Sequence, residues 1–179
     1  DAGIDVICRS RHDYRETKFH GPSPRVVQVL AMTPASAGDP SSIAAASSTP
    51  DIMSFDLVFF GGTGDLTWRK LMPALFQAFR HGKLPPGGRI LAVARDEQTD
   101  EQYRTWLRER FQDVEIAKRP NEAEFARFAE QVFYKKVDLS QAEHYSRIRD
   151  WVGERDADTV VFFVATAPHL FTQVCLQLG

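Results

Sequence analysis

The segment Phe55-Asp56-Leu57-Val58-Phe59-Phe60, followed at once by Gly61-Gly62-Thr63-Gly64, constrains the fold of this chain more than any other stretch. A short, nearly continuous apolar run ended by glycines is the pattern of a strand buried on both faces. The next residues, Asp65 to Arg80, read as a helix with Leu71, Leu75 and Phe79 at i, i+4 and i+8 and with Met72 and Phe76 alongside. Pro73 lies inside that pattern and is expected to kink or loosen its early turns. Strand, glycine turn and helix together present free backbone N–H groups and a helix N-terminus to whatever approaches, and a pyrophosphate suits both. Side chains at the turn would block that approach, so Gly61 and Gly64 answer a steric requirement. A glycine pair that merely turns the chain is the competing reading, and the order of the flanking elements speaks against it.

Alternation continues downstream. Lys83 to Gly88 is a turn cluster, and Arg89 to Ala94 is a second strand. Thr99 caps a helix through about Gln112, with Tyr103, Leu107 and Phe111 on one face. Helical patterns at about Asn121 to Glu130 and Ala142 to Val152 flank a third strand, Val132 to Val137, and Thr159 to Ala165 is the fourth. Pro168 opens a last helix. Strands separated by helices of this length predict an α/β fold, a Rossmann-type doubly wound parallel sheet of which about two-thirds is visible.

The first 52 residues read differently. Pro34 to Pro50 is almost entirely Ala, Ser, Pro, Gly and Thr, too poor in large apolar groups to offset ordering entropy. Residues 1–52 are therefore expected to be a disordered extension, and residues 53–179 a partial dinucleotide-binding domain. Met53 would make a natural start, and a weak signal-peptide likeness runs from Val26 through Met32. A beginning at Asp1 and an end at Gly179 inside a helical pattern suggest the edges of a fragment.

Charge and composition narrow the function classes. A net charge of -2 gives no electrostatic case for nucleic acid or an anionic membrane, and no apolar run is long enough for a spanning helix. Cys8 and Cys175 lie near opposite ends without metal-ligand spacing, which suggests reduced thiols in a cytoplasmic protein and no metal site.

Cofactor choice is read where the second strand ends. A carboxylate there holds the ribose 2′-hydroxyl of NAD, whereas a 2′-phosphate needs a cation. Arg95 occupies the position and favours NADP, while Asp96 beside it leaves NAD use open. A solvated Arg95 paired with Asp96 is the structural alternative. At the fourth strand, Ala165-Thr166-Ala167-Pro168 lies where the strand order should reverse, and its small residues would let a nicotinamide pass or simply make a turn. Asp138 would sit near the adenine or cap the helix that follows.

The stretch Gly61-Gly62-Thr63-Gly64-Asp65-Leu66-Thr67-Trp68-Arg69-Lys70-Leu71-Met72-Pro73 resembles the fingerprint of the glucose-6-phosphate dehydrogenase family, a glycine turn with Asp-Leu, a basic pair and then a proline. Ala94-Arg95 and Val164-Ala165-Thr166-Ala167-Pro168 with Leu170-Phe171 match further family segments, so the resemblance covers about residues 55 to 179. It implies NADP held by Gly61, Gly62, Thr63, Gly64, Asp65, Leu66 and Thr67, by Arg95 and by the backbone near Ala165. Lys70 matches a lysine facing the active-site cleft, near the cofactor or the sugar phosphate; an exposed helix lysine is the alternative. Trp68 and Thr67 depart from the family pattern, Thr67 being small enough to keep helix and strand close, though less comfortably than alanine. The resemblance further implies a homo-oligomeric enzyme that oxidises glucose 6-phosphate at C1, with hydride passing to the nicotinamide.

The family's catalytic histidine segment is absent between Asp1 and Gly179, and none of His12, His20, His81, His144 or His169 lies in such a motif. This piece alone is therefore expected to be inactive, with no catalytic residue of its own. Three rival readings are a short-chain dehydrogenase or epimerase, a non-catalytic NADP-sensing module, and a Rossmann-like domain that binds no nucleotide. The first needs a Tyr-x-x-x-Lys pair, but Leu107, Asp138 and Arg149 stand four residues after Tyr103, Tyr134 and Tyr145.

Overall fold

The computed structural model describes residues 5–10, 13–17, 26–31, 54–85, 87–115 and 119–178. Seven strands form one sheet: β1 (Asp5–Ser10), β2 (Asp13–Thr17), β3 (Val26–Ala31), β4 (Phe55–Phe60), β5 (Arg89–Ala94), β6 (Val132–Lys136) and β7 (Thr159–Val164). Their order is β2-β1-β3-β7-β4-β5-β6. β1 pairs with β2 antiparallel, and every other pair is parallel. Of the extension expected over residues 1–52, the three strands β1 to β3 are described and add to the sheet beside β7, while the Ala- and Ser-rich stretch lies outside the described residues.

Among the described residues the α-helices are α1 (Met72–Arg80), α2 (Asp100–Phe111), α3 (Glu122–Ala129), α4 (Ser146–Gly153) and α5 (Pro168–Leu178). Each of the four downstream strands ends within a residue of its expected limit. Helix α2 starts with a capping box in which the Thr99 hydroxyl accepts from the Gln102 N–H and the Gln102 side chain accepts from the Thr99 N–H. Asn121 and Glu124 make the same reciprocal pair at α3. Two orphan donors are satisfied at each helix start.

Period-two alternation divides the core between the two faces of the sheet. Val58, Phe60, Leu91, Val93, Phe162 and Val164 pack beneath Tyr145, Ile148, Trp151 and Val174 of the α4 and α5 layer. Leu57, Phe59, Ile90 and Ala92 face the layer of α1, α2 and α3. There Phe76 meets Phe111 and Phe128 edge-on, both with ring centroids 5.6 Å away. Helices cover both faces, so the strands between them must be apolar throughout.

The helix expected over Asp65 to Arg80 changes pitch on the way. Asp65 and Leu66 are α-helical, Thr67–Leu71 form a π turn, and α1 follows. Pro73 has no N–H to close an ordinary turn onto the Arg69 carbonyl. A wider turn absorbs the defect, and the Met72 N–H reaches back to the Thr67 carbonyl.

β6 is one of the sheet's two outer strands, and outward backbone groups along it are met by side chains. Arg104 Nε donates to the Val132 carbonyl at 2.9 Å, Asp100 Oδ1 accepts from the Tyr134 N–H at 2.6 Å, and Arg147 donates to the Lys136 carbonyl at 2.7 Å. Such capping blocks the addition of another strand.

Asp56, on β4 at the sheet's amino end, is 0% exposed. Its carboxylate accepts from Arg89 Nε and Nη2 at 3.0 and 2.7 Å and from Arg155 Nε and Nη2 at 3.0 and 2.6 Å. Arg89 also lies over the Trp151 ring, 4.0 Å from its centroid. One buried carboxylate thus ties β4 to β5 and to the turn before β7. Breaking such an arrangement strands two guanidinium groups, so Asp56→Ala should lower stability by about 3–5 kcal/mol. Urea unfolding followed by circular dichroism measures it; an unchanged midpoint would contradict a structural role for this cluster.

Candidate functional site

β4 lies at the switch point of the downstream strands, with β5 and β6 to one side and β7 to the other. Their connections leave in opposite directions and open a crevice at the carboxyl ends of the strands. A cleft of about 560 Å³ occupies that place, lined by Gly61, Thr63 and Gly64 after β4, Arg95 and Asp96 after β5, Asp138 and Ser140 after β6, and Thr166, Ala167 and His169 after β7.

Gly61 sets the floor. Its φ is 91°, and a Cβ built there would stand 2.5 Å from the Ala165 carbonyl oxygen. The turn and the end of β7 therefore touch through bare backbone, a contact that no L side chain permits. The Gly61 and Gly62 N–H groups both donate to the Val93 carbonyl, at 3.0 and 2.8 Å, which anchors the turn on β5. A Cβ at Gly62 would approach the Ala92 Cβ to 2.7 Å, so this glycine serves the packing behind the turn and not the cleft surface. The Thr63 and Asp65 N–H groups have no acceptor among the described residues, and they flank the start of the helix.

Thr67 proves better suited to its place than a steric argument suggests. It is fully buried, and its hydroxyl donates to the Gly61 carbonyl at 2.8 Å. The same carbonyl accepts the Gly64 N–H at 3.0 Å, so the residue that departs from alanine braces the turn. The hydroxyl's target depends on the folded turn, and no sequence pattern exposes it.

Arg95 and Asp96 separate at the end of β5. Asp96 Oδ2 accepts the Thr63 hydroxyl at 2.9 Å, whereas Arg95 makes no hydrogen bond or ion pair within 4 Å among the described residues. The alternative in which the two neutralise each other is not what the structure holds. Asp138 forms an Asx turn, its carboxylate accepting the Ser140 N–H and hydroxyl at 3.0 and 2.8 Å. The Ser140 hydrogen bonds, helped by Arg95 and His144, hold the Asp138 carboxyl below the usual range. It lines the cleft and braces a turn; the short 3-10 turn after it has Gln141 at its cap.

Other sequence candidates lie apart. Asp65 is exposed and pairs with Arg69 at 2.7 Å. Lys70 is exposed and lines a separate groove with Trp68, Pro73, Gln77 and Val114. Ala165 donates its N–H to the Phe60 carbonyl at 2.9 Å and reaches the turn through its own carbonyl. His169 is exposed at the rim. Among the described residues no group of three or more His, Cys, Asp or Glu could hold a metal, and no helix is long and apolar enough to cross a membrane.

Two tyrosines escaped functional notice because they read as helix-face and strand residues. Tyr103 donates its hydroxyl to the Gly62 carbonyl at 2.7 Å, and Tyr134 donates to the Asp96 carbonyl at 2.7 Å. Burial pushes the Tyr103 phenol well above its ordinary value; burial, with Asp96 and Glu97 nearby, raises Tyr134 to about 12. Both are therefore neutral donors at physiological pH.

The residues fit a dinucleotide on two observations: the Thr166 hydroxyl is buried at the cleft wall without a hydrogen-bond partner among the described residues, and a Cβ at Gly61 would fill the approach to the turn. Phosphate turn, switch-point cleft and strand order together define a dinucleotide-binding α/β domain.

Residues 58–179 match the family described as glucose-6-phosphate dehydrogenase, NAD binding domain, and the chain belongs to that family. Glucose-6-phosphate 1-dehydrogenases from Mycolicibacterium smegmatis and Gluconobacter oxydans are each 36% identical to it, over 129 and 130 residues. Those matches cover 69% and 70% of this chain and 26% of each relative. The chain thus spans about a quarter of the length of the curated relatives it matches. A solved glucose-6-phosphate dehydrogenase in complex with its substrate glucose-6-phosphate aligns over 74% of this chain and 28% of its own, with a TM-score of 0.60 and 26% identity. The crystal structure of the Mycobacterium avium enzyme aligns over 70% of this chain and 26% of its own, with a TM-score of 0.60 and 25% identity. The short-chain dehydrogenase and sensor readings are not favoured.

Gly61→Ala should strain the turn by roughly 1–3 kcal/mol and push Ala165 away, so both melting temperature and dinucleotide binding should fall. A variant with wild-type values for both would remove the turn from the site. The tyrosines make a second prediction. Burial also raises Tyr145 to about 12. Raised phenol pKa values favour the neutral, folded form, a contribution complete below pH 10 and lost as pH climbs toward 12. In an absorbance titration at 295 nm, no more than one of the four tyrosines should ionise before unfolding begins.

Proposed function

We propose that this chain is the NADP-binding part of a glucose-6-phosphate dehydrogenase. In the whole protein it would serve the oxidation of glucose 6-phosphate at C1 to 6-phosphogluconolactone, the entry to the oxidative pentose phosphate pathway, in the cytoplasm and in a homo-oligomer. Residues 53–179 are the partial NADP-binding domain and residues 1–52 an extension to it. Bound NADP would supply a nicotinamide C4 that accepts hydride.

The observation that carries the reading is Arg95 at the end of β5, facing the same cleft as the phosphate turn and without a hydrogen bond or ion pair within 4 Å among the described residues. A pyrophosphate would lie against Gly61, Thr63 and Gly64 at the start of the helix, where the Thr63 and Asp65 N–H groups lack acceptors. Gly62 and Thr67 shape and brace that turn from behind, and Asp65 and Leu66 open its helix. The Arg95 guanidinium would take the 2′-phosphate, since its charge is not spent on Asp96. Ala165 and Thr166 would border the nicotinamide half at the end of β7. Lys70, in its separate groove, is assigned to the sugar-phosphate side of the whole protein's cleft. No residue of this chain is assigned the proton abstraction, and purified alone it should not reduce NADP with glucose 6-phosphate.

Calorimetric titration with NADP and NAD tests the reading. The chain should bind NADP more tightly, and Arg95→Ala should weaken NADP by roughly ten-fold or more while barely changing NAD. Equal affinity of the parent chain for both cofactors would overturn the Arg95 assignment.

A further inference from the structure

The phosphate turn and the loop after β5 are joined by a closed circuit of side chains. Tyr103, rising from α2, holds the Gly62 carbonyl of the turn at 2.7 Å. Its ring stacks on Tyr134 of β6, with centroids 4.9 Å apart and planes 25° from parallel. Tyr134 holds the Asp96 carbonyl at 2.7 Å, and the Asp96 carboxylate returns to the turn through the Thr63 hydroxyl at 2.9 Å. The two residues are only 0% and 2% exposed. A second backbone restraint, the Tyr134 N–H to Asp100 Oδ1 at 2.6 Å, keeps the ring's own strand in place against α2.

The circuit spans the two points that a dinucleotide must bridge. Gly62 and Thr63 belong to the pyrophosphate turn, and Asp96 immediately follows Arg95. Neither phenol lines the cleft. What they control is distance: a rigid stack of two rings sets how far the Arg95 loop stands from the turn. Loss of the Tyr134 hydroxyl would leave the Asp96 carbonyl without this donor and free the loop on which Arg95 rides. Loss of the Tyr103 hydroxyl would loosen the turn, which serves the pyrophosphate of either cofactor.

We propose that Tyr103 and Tyr134 are positioning residues for the dinucleotide, Tyr134 setting the preference for a 2′-phosphorylated cofactor and Tyr103 setting affinity for both forms. The inference rests on the reading of Arg95 as the 2′-phosphate group and names what holds that group in register.

The test is calorimetry of the full chain with NADP and with NAD, for the parent, Tyr134→Phe, Tyr103→Phe and Arg95→Ala, with a melting curve for each. Tyr134→Phe keeps the stacked ring and should weaken NADP roughly two- to ten-fold while moving NAD by less. Tyr103→Phe should weaken both cofactors by a similar factor and leave their ratio unchanged. A purely structural tyrosine would lower the melting temperature of Tyr134→Phe without changing the ratio, and that result overturns the proposal. Should Tyr134→Phe fail to fold, Thr63→Val cuts the circuit at its polar link and should shift the ratio in the same direction; an unchanged ratio there overturns it equally. Failure of the cofactor reading is distinct, because it appears in the parent and Arg95→Ala before either tyrosine is altered.

Discussion

The contact between Gly61 and the Ala165 carbonyl is the constraint around which the site is arranged. β4 and β7 are neighbours in the sheet, and their connections leave in opposite directions, so the backbone at their ends either crowds or opens a crevice. It opens one here because Gly61 turns through a φ of 91° and carries no side chain. Every other part of the turn follows from that geometry: the paired N–H groups on the Val93 carbonyl, the Gly64 N–H and the Thr67 hydroxyl on the Gly61 carbonyl, and the start of the helix facing the cleft. A side chain at this point would close the cleft by sterics alone.

Charge is distributed between the two ends of the sheet in opposite ways. At the amino end, Asp56 is buried and fully engaged by Arg89 and Arg155, an arrangement that holds strands together. At the carboxyl end, Arg95 has no carboxylate in direct contact among the described residues, and Asp96 is occupied by Thr63. Paired charge at the amino end belongs to the scaffold, while Arg95, whose field reaches Asp138 without direct contact, faces the cleft. The separation costs little, because an exposed guanidinium retains its water until a phosphate displaces it.

Much of the architecture was legible from residue order. Apolar runs located β4, β5 and β7, since strands covered by helices on both faces have little polar side to confuse the pattern, and β6 was read from its alternation VFYKKV. Thr99 marked a helix start because capping is a local interaction between residues three apart. Pro73 foretold a disturbed helix, and the π turn is the form that the disturbance takes. β1, β2 and β3 were not legible, because mixed charge and a single short apolar run specify no face.

The candidate site divides along the same line. By itself the sequence determined the glycine turn, its place between a buried strand and a helix, and an arginine at the end of the second strand, because each of these depends on neighbours in the chain. Only the tertiary structure decided that Lys70 lines a groove apart from the cleft, that Asp96 turns to Thr63 and away from Arg95, and that Thr67 braces the turn. It alone brought Tyr103 and Tyr134, 31 residues apart by their numbers, into one stack beneath the loops they hold. Their hydroxyls meet backbone carbonyls 41 and 38 residues away, and a carbonyl has no residue identity for a sequence to reveal.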